Sequence, residues 1–183
     1  TPGFCLRVNS PAGRVNRVTG IEFQDGGRTT TTAAPNAVVK IFGNNTNHSA
    51  TRIDHCKFYH LNGHVGTETA IGSVFDHCEF YFSGNTYLFA YASSYDGGTW
   101  GDKSWTAPSG FGGSNFVFVE DCLLQNDTQY YACMDAYGGA RYVIRHCRLV
   151  NTHPGGHGTE GQRGRGLRAV QVYNNVMTHT LND

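Results

Sequence analysis

An all-strand solenoid is the fold the sequence predicts, on three observations: one short pattern recurs along most of the chain, its spacing falls in the twenties, and its apolar residues alternate as in strands. The copies read Ile53-Asp-His-Cys56-Lys-Phe58, Phe75-Asp-His-Cys78-Glu-Phe80, Val119-Glu-Asp-Cys122-Leu-Leu124, Ile144-Arg-His-Cys147-Arg-Leu149 and Val172-Tyr-Asn-Asn175-Val-Met177. A weaker copy is Val18-Thr-Gly-Ile21-Glu-Phe23. An apolar residue three before the key position and another two after it mark two short strands joined by a tight turn. Key positions lie 22, 25 and 28 residues apart (56 to 78, 122 to 147, 147 to 175). The gaps of 35 (21 to 56) and 44 (78 to 122) require inserted loops or a degenerate extra turn. The LxxLxL pattern of leucine-rich repeats is absent and no window shows a helical face, so strand-only coils are expected.

Composition narrows the class. The chain has 183 residues, 24 of them Gly, and its 14 Lys+Arg balance 14 Asp+Glu. That length suits one domain, residues 1–183. A formal charge of zero lacks the overall basic footprint of a nucleic-acid binder. No stretch approaches the ~20 apolar residues of a membrane span. None of the six cysteines (5, 56, 78, 122, 133, 147) has CxxC spacing, so no thiolate metal site is expected. Residues 56, 78, 122 and 147 instead form a cysteine ladder at the key position. Coils stacked ~4.8 Å apart would allow bridging. Reduced, inward packing in a narrow turn is the preferred reading.

Residues 18 to 177, on these repeats, resemble the right-handed parallel β-helix superfamily, the pectate-lyase-like coils of polysaccharide lyases, glycoside hydrolases, epimerases and phage tailspikes. Such coils stack one residue type, often Asn, at the turn between two strands; here that rank is Cys56, Cys78, Cys122, Cys147 and Asn175. The stretch from Asn115 to Asn175, with GARYVIRHC and RGLRAVQVYNN, is also similar to uncharacterised bacterial β-helix repeat proteins. No catalytic motif of the superfamily is matched residue by residue. The resemblance implies a carbohydrate-active protein, extracellular or on the cell surface, with a polysaccharide as its partner.

Register then becomes a search for chemistry, since a coil brings equivalent residues of successive rungs together. Two before the key position stand Asp54, Asp76, Glu120, Arg145 and Tyr173; one before stand His55, His77, Asp121, His146 and Asn174. Neighbouring carboxylates such as Asp54 and Asp76 repel, which raises one pKa or recruits a cation such as Ca²⁺. A solvated polar face, with Glu120 and Arg145 as an exposed ion pair, is the competing reading.

Two segments break the period. Residues 81–113 form a long aromatic-rich loop or degenerate coil, in which Tyr95, Trp100 and Trp105 are candidates to stack on sugar rings; Tyr87, Phe89 and Tyr91 alternate as a strand. Residues 153–168 gather His153, His157, Arg163, Arg165 and Arg168 on a Gly-rich run, suited to the carboxylate or sulfate of an acidic polysaccharide. The glycines lack the strand-then-helix context of a phosphate loop. For β-elimination on a uronic acid, Arg168 would neutralise the carboxylate, His157 take the C5 proton and Tyr137 supply the acid. For hydrolysis, Glu120 with Asp135 or Asp121 is the carboxyl pair on offer. Catalysis is therefore expected on the face shared by Asp135, Arg141, His157 and Arg168, with Tyr95, Trp100, Trp105 and Glu120 binding substrate.

The leading expectation is an extracellular carbohydrate-active coil that binds a polysaccharide, a lyase or glycoside hydrolase if it is catalytic, with no obligatory cofactor. The alternative is a structural or adhesive shaft of a cell-surface or tailspike-like fibre. Neither end of the sequence shows an amphipathic capping helix, so neighbouring coils or domains are expected there.

Overall fold

The structure, a computed structural model, describes residues 5–11, 13–24, 37–43, 50–83, 88–91, 110–114, 116–158 and 166–181. Every regular element among them is a strand. The first rung comprises β1 (Leu6–Asn9), β2 (Val15–Thr19) and β3 (Glu22–Gln24), and the second β4 (Val39–Phe42), β5 (Ala50–Asp54) and β6 (Lys57–Tyr59). The third holds β7 (Val65–Glu68), β8 (Val74–Asp76) and β9 (Glu79–Phe82), and the fourth β10 (Leu88–Tyr91), β11 (Val117–Glu120) and β12 (Leu123–Asn126). After the short β13 (Tyr131–Ala132) the fifth rung is β14 (Met134–Tyr137), β15 (Arg141–Arg145) and β16 (Arg148–Val150). β17 (Thr152–His153), β18 (Ala169–Tyr173) and β19 (Val176–Thr178) follow.

Successive rungs stack in register as three parallel sheets: β1-β4-β7-β10-β14, β2-β5-β8-β11-β15-β18 and β3-β6-β9-β12-β16-β19. β13 pairs with β17 alongside. This is a parallel β-solenoid. Each of the two long gaps spans a single rung, because β2 pairs directly with β5 and β8 directly with β11, which leaves no room for an extra turn. Part of the 81–113 segment is coil rather than loop: β9 ends within it and β10 is the fourth rung's first strand.

The turn between the second and third sheets explains the recurring motif. Its residue adopts left-handed backbone in every rung: Gly20 (φ 69°), His55 (53°), His77 (50°), Asp121 (49°), His146 (56°) and Asn174 (54°). Glycine, asparagine, aspartate and histidine are the types that tolerate this region. The following key residue points inward, and all four ladder cysteines are buried and unbridged. Each sulfur acts as both acceptor and donor. Cys122 Sγ receives the N–H of Cys78 at 3.3 Å and reaches the carbonyls of Glu120 (3.0 Å) and Phe75 (3.6 Å). Cys147 Sγ repeats this with Cys122 N–H (3.4 Å), Arg145 O (3.1 Å) and Val119 O (3.5 Å). Asn175 does the same with an amide: Oδ1 accepts from Cys147 N–H at 2.8 Å, and Nδ2 donates to Ile144 O at 2.9 Å. The ladder thus satisfies turn groups that burial would otherwise leave unpaired. Burial pushes the Cys122 thiol up. The off-ladder Cys133, inside the fifth rung, is pushed up to about 12 for the same reason.

Inward ranks fill the interior. Ile53, Phe75, Val119 and Ile144 line the second sheet, and Phe58, Phe80, Leu124 and Leu149 the third. Phe23, Phe58 and Phe80 stack face to face with centroids 5.0 and 4.7 Å apart. Such pairs add about 0.5–1.5 kcal/mol each beyond the area they bury.

Candidate functional site

Outward residues of the first sheet build the site. On β14, Met134 and Ala136 enter the core, so alternation turns Asp135 and Tyr137 outward. In the same rank as Asp135 come Phe89, Gly66, Lys40 and Arg7. Gly66 lies under the Phe89 ring, where a Cβ would collide with it. Lys40, buried, pairs with Glu68 at 2.5 Å beside the Phe42 ring. Phe89, Ala37 and Tyr137 pack together over this face.

The chain after β17 completes it. His157 N donates to Ala136 O at 3.1 Å, so this segment runs beside β14 as a further rung. Leu167 N returns to His157 O at 2.8 Å and Arg168 N to Ala140 O at 2.9 Å, closing the intervening loop at its base. His157 thereby stacks on Tyr137 at 4.2 Å, and its Nε2 lies 2.9 Å from both the Tyr137 hydroxyl and Asp135 Oδ1. Asp135 is 4% exposed and His157 36%: a buried carboxylate lies against a reachable imidazole. The group borders a cavity of about 270 Å³ lined by Tyr131, Ala132, Met134, Asp135, His153, Gly156 and His157. His153 Nδ1 is buried and meets no hydrogen-bond partner among the described residues. The Tyr130 ring stacks on His153 at 5.0 Å and reaches His179 at 4.8 Å, at the edge of a second cavity of about 210 Å³ lined by Tyr130, Thr152, Met177, Thr178 and His179.

Of the residues the sequence singles out, Asp135 and His157 come together. Arg141, buried, starts β15 opposite Ala169, which follows the half-buried Arg168, so both arginines occupy the next corner of the coil. Glu120 belongs to another sheet. It pairs with Arg145 at 2.5 Å on the second sheet, whereas Asp135 belongs to the first, so they do not form a carboxyl pair across one cleft. Tyr95, Trp100 and Trp105 lie outside the described residues. Asn126, in one of three glycosylation tripeptides, is buried, and its Oδ1 accepts from Thr128 and Gln129, which closes it to a glycan.

The Asp54–Asp76 rank corrects a simpler expectation. These carboxylates are buried, not solvent-facing, and arginines of the preceding rung neutralise them. Arg17 forks onto Asp54 at 2.7 and 2.6 Å, and Arg52 donates to Asp76 through Nη2 alone, with its Nε 3.8 Å from Asp54. Arg17, helped by His55 and Thr19, holds the Asp54 carboxyl well below the usual range despite its burial. Mutual repulsion is thereby answered by side chains rather than by Ca²⁺. The signal was periodic, since arginine four before one key position meets aspartate two before the next. The corner pairing of Tyr131 with Thr152 and Ala132 with His153, which places Tyr130 and His153 at the cavities, follows from the same period.

Comparison with family models, curated proteins and solved structures returned no match to the chain.

Proposed function

We propose that this coil is a right-handed, pectate-lyase-like β-helix that binds an acidic polysaccharide and cleaves it by β-elimination, with Asp135, His157 and Tyr137 as its acid–base centre. The observation that carries this reading is the meeting of His157 Nε2 with Asp135 and Tyr137 at 2.9 Å beside the larger cavity. The Asp135 carboxylate, 2.9 Å from Nε2, favours the tautomer that carries its proton there and leaves the basic lone pair on Nδ1. That nitrogen takes the proton from C5 of a uronic acid. Electrons of the C5–H bond form the C4=C5 double bond as the C4–O bond breaks, and Tyr137 O–H protonates the leaving oxygen. Arg168, one residue beyond the closure on His157, supplies the cation for the carboxylate, whose enolate carries the developing charge.

Hydrolysis is less well supported, because Asp135 lies on a different sheet from Glu120, and Glu120, the carboxyl common to both candidate pairs, is held by Arg145. The test is a screen of polygalacturonate, alginate, hyaluronan and heparin for ultraviolet absorbance of new unsaturated ends, with a parallel assay for reducing ends. Unsaturated product lost in His157→Asn supports the reading; reducing ends without unsaturation transfer it to hydrolysis. Neither product with any polymer leaves the structural or adhesive coil.

A further inference from the structure

A second cluster lies on the turn between the second and third sheets, away from the cavities. His55, His77, Asp121 and His146 follow one another there in equivalent left-handed positions. Their backbones are joined rung to rung: His55 N donates to Asp76 O at 3.2 Å, His77 N to Glu120 O at 3.2 Å and Asp121 N to Arg145 O at 3.3 Å. The rank is therefore rigid at its base, with His55 and His77 stacked at 5.2 Å and 7° and their side chains 61% and 55% exposed.

The imidazoles are held from behind. His55 Nδ1 meets Asp54 Oδ2 at 2.9 Å and His77 Nδ1 meets Asp76 Oδ1 at 2.5 Å. A carboxylate on Nδ1–H turns the Nε2 lone pair outward, the second-layer arrangement that orients histidines as metal ligands. One donor atom each of Asp76, His77 and Asp121 lies within 4.8 Å of the other two. Charge agrees with this: Asp54, Asp76 and Asp121 outnumber Arg17 and Arg52, while Glu120 is matched by Arg145.

We propose that His55, His77 and Asp121 form a binding site for a divalent transition-metal ion of the zinc class, with Asp54 and Asp76 as the supports of its two imidazoles. Two imidazoles and one carboxylate suit Zn²⁺, Ni²⁺ or Cu²⁺ rather than Ca²⁺, which takes oxygen ligands. His77 and Asp121 already lie in mutual reach, and a shared ion requires the stacked His55 ring to lean toward them, to ligand distances of about 2.0–2.2 Å.

Calorimetric titration of the whole chain with Zn²⁺ tests the site, using asparagine as the replacement because it tolerates left-handed backbone. Expected are one ion per chain, binding weakened at least about tenfold in His77→Asn and His55→Asn and severalfold in Asp121→Asn, and unchanged binding in His146→Asn. Circular dichroism confirms that each variant stays folded. The proposal is overturned if the wild-type chain takes up no Zn²⁺, if His77→Asn binds as the wild type does, or if His157→Asn removes the ion, which would assign it to the cavity.

Discussion

Histidine meets aspartate in two regions of this coil, and the two meetings differ in origin. At the second turn the partners are sequence neighbours, Asp54 with His55 and Asp76 with His77, repeated by the period and neutralised by arginines one rung back. At the first sheet, Asp135 and His157 come from successive rungs, and a phenol shares the imidazole nitrogen beside a cavity. In the two proposals made above, the same two side chains serve metal presentation in one place and proton transfer in the other. What the first sheet adds is a phenol on the imidazole nitrogen, a group with a proton to exchange, whereas each imidazole at the turn meets a carboxylate that a guanidinium fixes as an anion.

The sharpest way to break this contrast is to exchange histidines in turn. His157→Asn and Tyr137→Phe should each lower the rate of unsaturated-end formation by about 10² to 10⁴-fold, the usual weight of an acid–base group. His55→Asn and His77→Asn should leave that rate within about twofold. Equal losses on both sides would erase the distinction.

A second test reaches the sulfur rank beneath the turn. Cys147→Val keeps an apolar side chain but removes the acceptor of Cys122 N–H, and should cost about 1–3 kcal/mol in urea unfolding. Cleavage assayed on the folded fraction should persist, since the site stands on the first sheet.

The third is pH. Asp54 titrates below its ordinary value near 3.8 in the folded chain because Arg17 hydrogen-bonds its carboxylate. Its contribution to stability is therefore complete above that value and lost as pH falls toward the depressed one. His77 titrates above 6.5 because Asp76 accepts its hydrogen bond, so its contribution is present below 6.5 and lost as pH rises through the raised value. Melting curves of Asp54→Asn should thus lie furthest below wild type above pH 4 and converge in acid. Those of His77→Asn should lie furthest below wild type under pH 6.5 and converge in alkali.

The smallest effect belongs to Tyr130, between the two cavities. Tyr130→Ala should raise KM for long oligosaccharides severalfold and leave kcat unchanged, because a stacking surface contributes binding away from the reacting bond. An equal change for disaccharides would remove Tyr130 from the groove.

The parts legible in the sequence were those the period repeats. Cys56 through Asn175 declared the ladder, and the apolar residues around them declared which faces enter the core. Asp135 and His157 were legible as members of one face because they belong to successive rungs. The shared contact with Tyr137 was not, since it depends on the path of a Gly-rich segment whose residues carry no periodic mark. Nor was the burial of Asp54 and Asp76, because reading one rank at a time hides partners displaced diagonally by two residues. Tyr130 escaped for a further reason: it stands at a corner where the strands shrink to β13 and β17, too short to show alternation.

The closure between His157 and Leu167 also bears on how such a protein changes over generations. Leu167 N returns to His157 O, with Gly166 pressed so closely on the carbonyls of His157 and Gly158 that no side chain fits there. Lengthening a loop tied in this way costs the fold little, about 0.6 kcal/mol for each doubling. Insertions, deletions and exchanges beyond the knot can therefore accumulate without retuning the rungs. Gly166, by contrast, must be kept. Under the proposed function, ligand preference can then vary from one descendant to another while the scaffold stays constant, with one glycine as the pin between them.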